Sequence, residues 1–319
     1  MSRSRTSLRL VAGVLVVVIL AAVAYLLRDP LPTFMARRSE LATIQERAPA
    51  IVDGSELQTV RLTAKSGLAV DLSVRRHLGD TGRRMPLVVI LGGHLTGAEA
   101  ARIVGETPGV VVAAVSYPFT GDPRPSARRF LLDIPKIRAA FLDTPPALML
   151  ALDYLLRRPD VDTTRVEGLG VSLGAPFVTI AGALDSRIHR VWSIHGSGGS
   201  YTPLEASMRR TIGFAPLRAV SAAIANVIIA GPRLAPERWV SRIAPRTFIM
   251  VNATDDERFS RSSVEVLYRG AAEPKEMIWM SGGHIHGDQP TIQRLVAIVL
   301  SRVRESTSRT TTELTGTAM

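Results

Sequence analysis

The chain has 319 residues, 46% hydrophobic and 21% charged, with no cysteine and a formal net charge of +11. That apolar content excludes a disordered chain, and the missing cysteines exclude a disulfide scaffold, a cysteine-ligated metal centre and a lipidated-cysteine anchor. The charge does not mark a nucleic-acid binder: residues 1–38 hold Arg3, Arg5, Arg9, Arg28, Arg37 and Arg38 against the single acid Asp29, and the remaining basic residues are scattered.

Leu10 to Leu27 is an uncharged run of 18 residues, in a chain whose mean hydropathy is +0.18. As a helix it would measure about 27 Å, close to the hydrocarbon thickness of a bilayer. Arginines precede it, so the positive-inside rule keeps the N-terminus in the cytoplasm and sends the rest across. Residues 1–28 are therefore expected to be a transmembrane signal-anchor, giving a single-pass cell-membrane protein with its main domain outside the cytoplasm. Ala22-Val23-Ala24 leaves open a cleaved signal peptide and a secreted or periplasmic product. Residues 29–55, with Pro30, Pro32 and Pro49, read as a linker.

Short apolar runs then alternate with helical patterns. Strands are expected at Gln58–Thr63, Ala69–Val74, Leu87–Leu91, Val110–Ser116, Val166–Val171, Val191–His195, Thr247–Val251 and Glu276–Met280. Helices are expected at Pro146–Arg157, Ser172–Ala183, Pro216–Ile229, Ser262–Ala271 and Pro290–Arg304. The first two strands form a hairpin across Ser66-Gly67. The later ones are apolar throughout, as a parallel sheet covered on both faces requires. The reading is one doubly wound α/β domain over residues 56–305 with an antiparallel start. Residues 197–240 interrupt the alternation as a helical insert, read as a packed helix pair, a lid over a cleft or, least favoured, a second span. Residues 306–319 are low-complexity and read as a disordered tail.

Gly170-Val171-Ser172-Leu173-Gly174 matches G-x-S-x-G between a predicted strand and a predicted helix. The chain must turn sharply there, leaving Ser172 strained at the sheet edge, while the flanking glycines admit close backbone and the helix N-terminus favours developing negative charge.

This pentapeptide, the lead-in Asp160-Val161-Asp162-Thr163-Thr164-Arg165-Val166 and the preceding Leu152-Asp153-Tyr154-Leu155-Leu156-Arg157-Arg158-Pro159 together resemble α/β-hydrolases of the dienelactone-hydrolase and acetyl-xylan-esterase-like type. The resemblance covers roughly residues 85–304. It implies an α/β-hydrolase fold and a Ser-His-Asp serine hydrolase needing neither metal nor cofactor. Two backbone amides would hold the oxyanion. One is that of Leu173; the other comes from the loop after Leu87–Leu91, where Gly92-Gly93-His94 departs from the usual His-Gly-x and leaves the donor open between Gly93 and His94. The general base belongs on the loop after the last strand. The family's Gly-His ending there selects His284, with His286 as the alternate. His195, after the preceding strand, reads as cleft lining or as a core histidine. The acid should follow Thr247–Val251. The family pattern aligns Asp256, and a looser count from the strand end gives Asp255. The implied reaction is cleavage of a small-molecule carboxylic ester through an acyl-enzyme. Acyl transfer or thioester hydrolysis on a lipid-like acyl substrate is the second reading. A non-catalytic binding protein of the same fold is the third.

Overall fold

The computed structural model describes residues 12–21, 24–25, 28–93, 96–122, 127–285 and 287–316. In chain order the elements are α1 (Ala12–Ala21), α2 (Leu31–Arg38), β1 (Leu41–Glu46), β2 (Ala50–Val52), β3 (Ser55–Ala64), β4 (Ala69–His77), β5 (Met85–Leu91), α3 (Ala100–Ile103), β6 (Val111–Val115) and α4 (Ala127–Leu155). They continue with β7 (Val161–Val171), α5 (Gly174–Leu184), β8 (Arg190–Ile194), α6 (Tyr201–Ser207), α7 (Ala215–Ile228), β9 (Thr247–Ala253), α8 (Arg261–Gly270), β10 (Lys275–Met280) and α9 (Gln289–Gly316).

Each stretch read as a strand forms one, and all join a single sheet ordered β1-β3-β4-β6-β5-β7-β8-β9-β10, with β2 also on β3. Pairings from β1 to β6 are antiparallel, apart from the parallel β5–β6 pair, and those from β5 to β10 are parallel. Every residue of β5 and β6 is buried, because helices cover both faces. On one face α2, α4 and α5 pack against residues such as Leu87, Val89 and Val191; on the other, α9 and the short α3 cover Val88, Ile90 and Trp192.

Residues 29–55 are not a linker but carry α2, β1 and β2. The prolines misled because Pro30 is the N-cap of α2 and Pro32 sits in its first turn, where a missing N–H costs nothing. α2 buries Phe34 completely against Trp239, with ring centroids 6.0 Å apart, and Arg37 and Arg38 pair with Asp143 and Asp153 of α4 at 2.6 and 2.7 Å. α4 likewise begins well before Pro146, passing through Pro135 and Pro145. The tail, expected without structure, continues the backbone of α9 through Gly316.

At the N-terminus the described residues include the apolar helix α1, ten residues or about 15 Å at 1.5 Å per residue, with residues 24–25 also helical. Among the described residues no single helix is long and apolar enough to cross a membrane. The expected 18-residue span is not found there, and residues 10–11, 22–23 and 26–27 of the Leu10–Leu27 run lie outside those residues. The insert folds as the pair α6 and α7, followed by short turns that bury Ala230, Leu234 and Trp239 in the core. α7 leaves Leu217, Val220 and Ile224 exposed, and together with Gly231–Arg238, bent from it by 61°, it has the length and composition of a broken span.

Candidate active site

The carboxyl ends of the parallel strands deliver the polar side chains to one edge. β7 ends at Val171, and Ser172 follows with φ +53, a left-handed conformation rare for a residue with a Cβ. Its N–H donates to the Ile194 carbonyl at 2.8 Å and its carbonyl accepts from Ala175 at 3.0 Å, so backbone bonds hold the sharp turn. The flanking glycines are needed for space. A Cβ on Gly174 would stand 2.1 Å from the Leu91 carbonyl oxygen, and one on Gly170 2.6 Å from that of Gly174.

β9 and β10 run side by side in register from Phe248 and Lys275 to Ala253 and Met280, which brings their exit loops together. The loops are stitched: Thr254 N–H donates to Met280 O at 2.9 Å, Asp255 N–H to Gly282 O at 3.0 Å, and His284 N–H to Glu257 Oε2 at 2.9 Å. This places Ser172 Oγ 2.8 Å from His284 Nε2 and His284 Nδ1 2.8 Å from Asp256 Oδ2. With the Nδ1 proton directed at the carboxylate, Nε2 presents its lone pair to the serine hydroxyl, the arrangement that can take a proton from Oγ. His284 is 3% exposed and packs edge-on against Phe259, at 5.2 Å between centroids.

Asp256 lies at the centre. Burial alone would raise its carboxyl, but donation from His195 and His284 and from the Phe259 and Arg258 amides outweighs that and holds it far below the usual carboxylate range. The amide bonds are 2.9 and 2.8 Å long. Asp255 instead is exposed and accepts from the Thr254 hydroxyl at 2.8 Å, away from the histidines.

Sequence reasoning left His195 undecided; the structure puts it against the acid. Its Nδ1 lies 3.2 Å from Asp256 Oδ2, its ring meets that of His284 edge-on at 5.1 Å, and its backbone is left-handed at φ +46. The signal in the sequence was its position immediately after β8, which pairs with β7, the strand that leads into Ser172. Glu257 and Tyr117 were missed altogether. The Tyr117 hydroxyl donates to the Gly92 carbonyl at 2.7 Å and fixes the loop after β5, while burial raises its phenol. Thr96 donates to the Gly93 carbonyl at 2.8 Å from the other side of that loop. Gly93 adjoins Ser172, since a Cβ there would be 3.7 Å from Ser172 Cβ, and Leu173 is the N-cap of α5. His94 and His286 lie outside the described residues.

His195, Asp256 and His284 offer ligand atoms within 4.8 Å of one another. A metal ion bound through the two Nδ1 atoms would displace protons from the positions where these nitrogens face Asp256 Oδ2. The cavity at Ser172 is lined by Gly92, Gly93, Ile285 and residues of β5, β7 and α9, and by none from 197–240. The insert does not wall it because it lies on the α4 side, where Arg138 donates to the Ile228 carbonyl at 2.8 Å, while the cavity is on the α9 side.

No family model and no curated protein matches the chain. Solved structures do. Acetyl xylan esterase 1 from a Thermoanaerobacterium species superposes with a TM-score of 0.58 at 16% identity, over 84% of this chain and 93% of that one. An acetyl xylan esterase from a Paenibacillus species gives 0.57 at 17%, over 84% and 90%. An alpha/beta hydrolase from a Penicillium species gives 0.52 at 16%, over 77% and 98%. At these identities the likeness is one of fold: the chain has the α/β-hydrolase fold.

Proposed function

We propose that this α/β-hydrolase-fold chain is a serine esterase with Ser172 as nucleophile, His284 as general base and acid, and Asp256 as the group that orients and stabilises the imidazole. The observation that carries the reading is the unbroken run Ser172 Oγ, His284 Nε2, His284 Nδ1, Asp256 Oδ2, with both links at 2.8 Å. Esterases among the structural neighbours support the substrate class.

Ser172 Oγ attacks the ester carbonyl as its proton passes to His284 Nε2. The oxyanion is held by the amide of Leu173 and by one from the loop at Gly93 and His94. His284 returns the proton to the departing alkoxide, which leaves as the alcohol. Water then repeats the cycle on the acyl-enzyme, losing its proton to Nε2, and the carboxylic acid departs as Oγ is reprotonated. Transfer to an alcohol instead of water, or a thioester in place of the ester, would use the same steps. The test is hydrolysis of p-nitrophenyl esters with S172A as the blank: turnover by wild type and none by S172A is expected, and equal turnover by both would remove the serine mechanism.

Export belongs to the same reading. It rests on the arginines before Leu10 and on the apolar side chains of α1, where Val14 to Leu20 are exposed. Cell fractionation of full-length protein and of a deletion of residues 1–28 tests it; cytoplasmic recovery of both would contradict it.

A further inference from the structure

One face of the sheet is thinly roofed beside the nucleophile. α3 has only four residues, so α9 does most of the covering of β5 and β6 on that side. Between them lies a cavity of about 490 Å³ that starts at Ser172 and Gly93 and extends along the strands to Val88 and Thr107. That is the size of a small-molecule site. Its walls are aliphatic well beyond the mouth: Val88, Ile90 and Leu169 from the sheet face Ile292, Leu295 and Val299 from α9.

The shape sets what fits. From Gly92 back to Val88 is four residues of strand, about 13 Å, and from Gln289 to Leu300 is eleven residues of helix, about 16 Å. An extended alkyl chain advances about 1.25 Å per carbon with C–C bonds of about 1.5 Å, so this run holds chains up to a limit of roughly 10–12 carbons. A sugar would bring hydroxyls into walls that offer them few partners. The half of the substrate placed there must also be the half that stays bonded to Ser172. The alcohol has to depart past His284 Nε2 and water must then enter, whereas the acyl group remains attached through both steps.

We infer that this cavity is an acyl subsite built for a linear, medium-length fatty acyl chain of roughly 8–12 carbons. The assignment rests on the esterase reading, and the test separates the two. The kcat/KM of wild-type protein is measured on p-nitrophenyl esters from acetate to tetradecanoate. Binding of decanoate and acetate to S172A is measured by calorimetry, with and without a second change, V296F, at Val296 of α9, which also lines the cavity and where a larger ring narrows it. Expected are a rise of about fourfold per methylene over the shorter esters, a maximum between about 8 and 12 carbons, and decanoate binding by S172A at least a hundredfold tighter than acetate. V296F should lower the decanoate-to-acetate ratio at least tenfold in both measurements. Esters hydrolysed best as acetate, with no preference for decanoate in S172A, would overturn the acyl subsite and leave the esterase standing. No ester hydrolysed, with decanoate bound and V296F weakening it, would end the esterase reading and keep the chain-binding cavity. A length preference unmoved by V296F in either measurement would also overturn the subsite.

Discussion

Asp256 takes hydrogen bonds from two histidines on one oxygen and from two backbone amides on the other, which is why its carboxyl is held so low despite burial. A lowered pKa in the folded state means the unfolded chain binds that proton more readily. The stabilisation is therefore complete above the unfolded carboxyl value of about 4 and is lost as pH falls below it. Calorimetric Tm values should drop more steeply between pH 5 and pH 3 for wild type than for D256N; parallel curves would contradict this. In activity, D256N should cost on the order of 10⁴ in kcat by disturbing the His284 tautomer, while D255N should stay within about threefold. The juxtaposition of Ser172, Asp256 and His284 was legible because Ser172 directly follows an apolar strand and the family pattern picked Asp256 and His284 from the loops after β9 and β10, in the chain order of the fold. His195 was not, because a single histidine at a strand end has an equally good core explanation, and only the sheet order β7-β8-β9 brings it to the acid.

The elements explain why the pentapeptide must keep its glycines. Gly174→Ala would push a methyl group into the Leu91 carbonyl and should destabilise the fold by about 1–3 kcal/mol, read as a lower urea midpoint at unchanged slope. Tyr117→Phe removes the bond to the Gly92 carbonyl and should cost about 1 kcal/mol while lowering kcat through a looser donor loop; unchanged kcat would detach that loop from the oxyanion. Central strands were readable because burial on both faces demands runs such as Met85–Leu91. β1 was not: all of its residues except Leu41 are exposed, so it carries no apolar run, and its place comes from pairing with β3. The first half of α4 was hidden by its prolines, with Thr144 donating back to the Ala140 carbonyl at 2.6 Å just before two of them.

Across the whole molecule, the basic N-terminal region divides in two. Arg37 and Arg38 belong to the fold through Asp143 and Asp153, while Arg3, Arg5 and Arg9 precede the apolar run. Deleting residues 1–28 should leave a folded, active domain. Deleting 1–40 removes Phe34 and both ion pairs and should lower the Tm by several degrees, since emptying a buried aromatic site costs about 3–5 kcal/mol. Equal Tm values for the two deletions would mean α2 is not part of the core. The missing cysteines, first an exclusion, are consistent with the proposed oxygen nucleophile, and at the sheet edge Asp256, His284 and Ser172 are linked in turn by hydrogen bonds. The most direct measurement is peptide mapping by mass spectrometry after treatment with a fluorophosphonate. The account predicts a single stoichiometric adduct on Ser172, absent in S172A and strongly slowed in H284A; a folded wild-type protein that remains unlabelled, or is labelled equally in S172A, would contradict it.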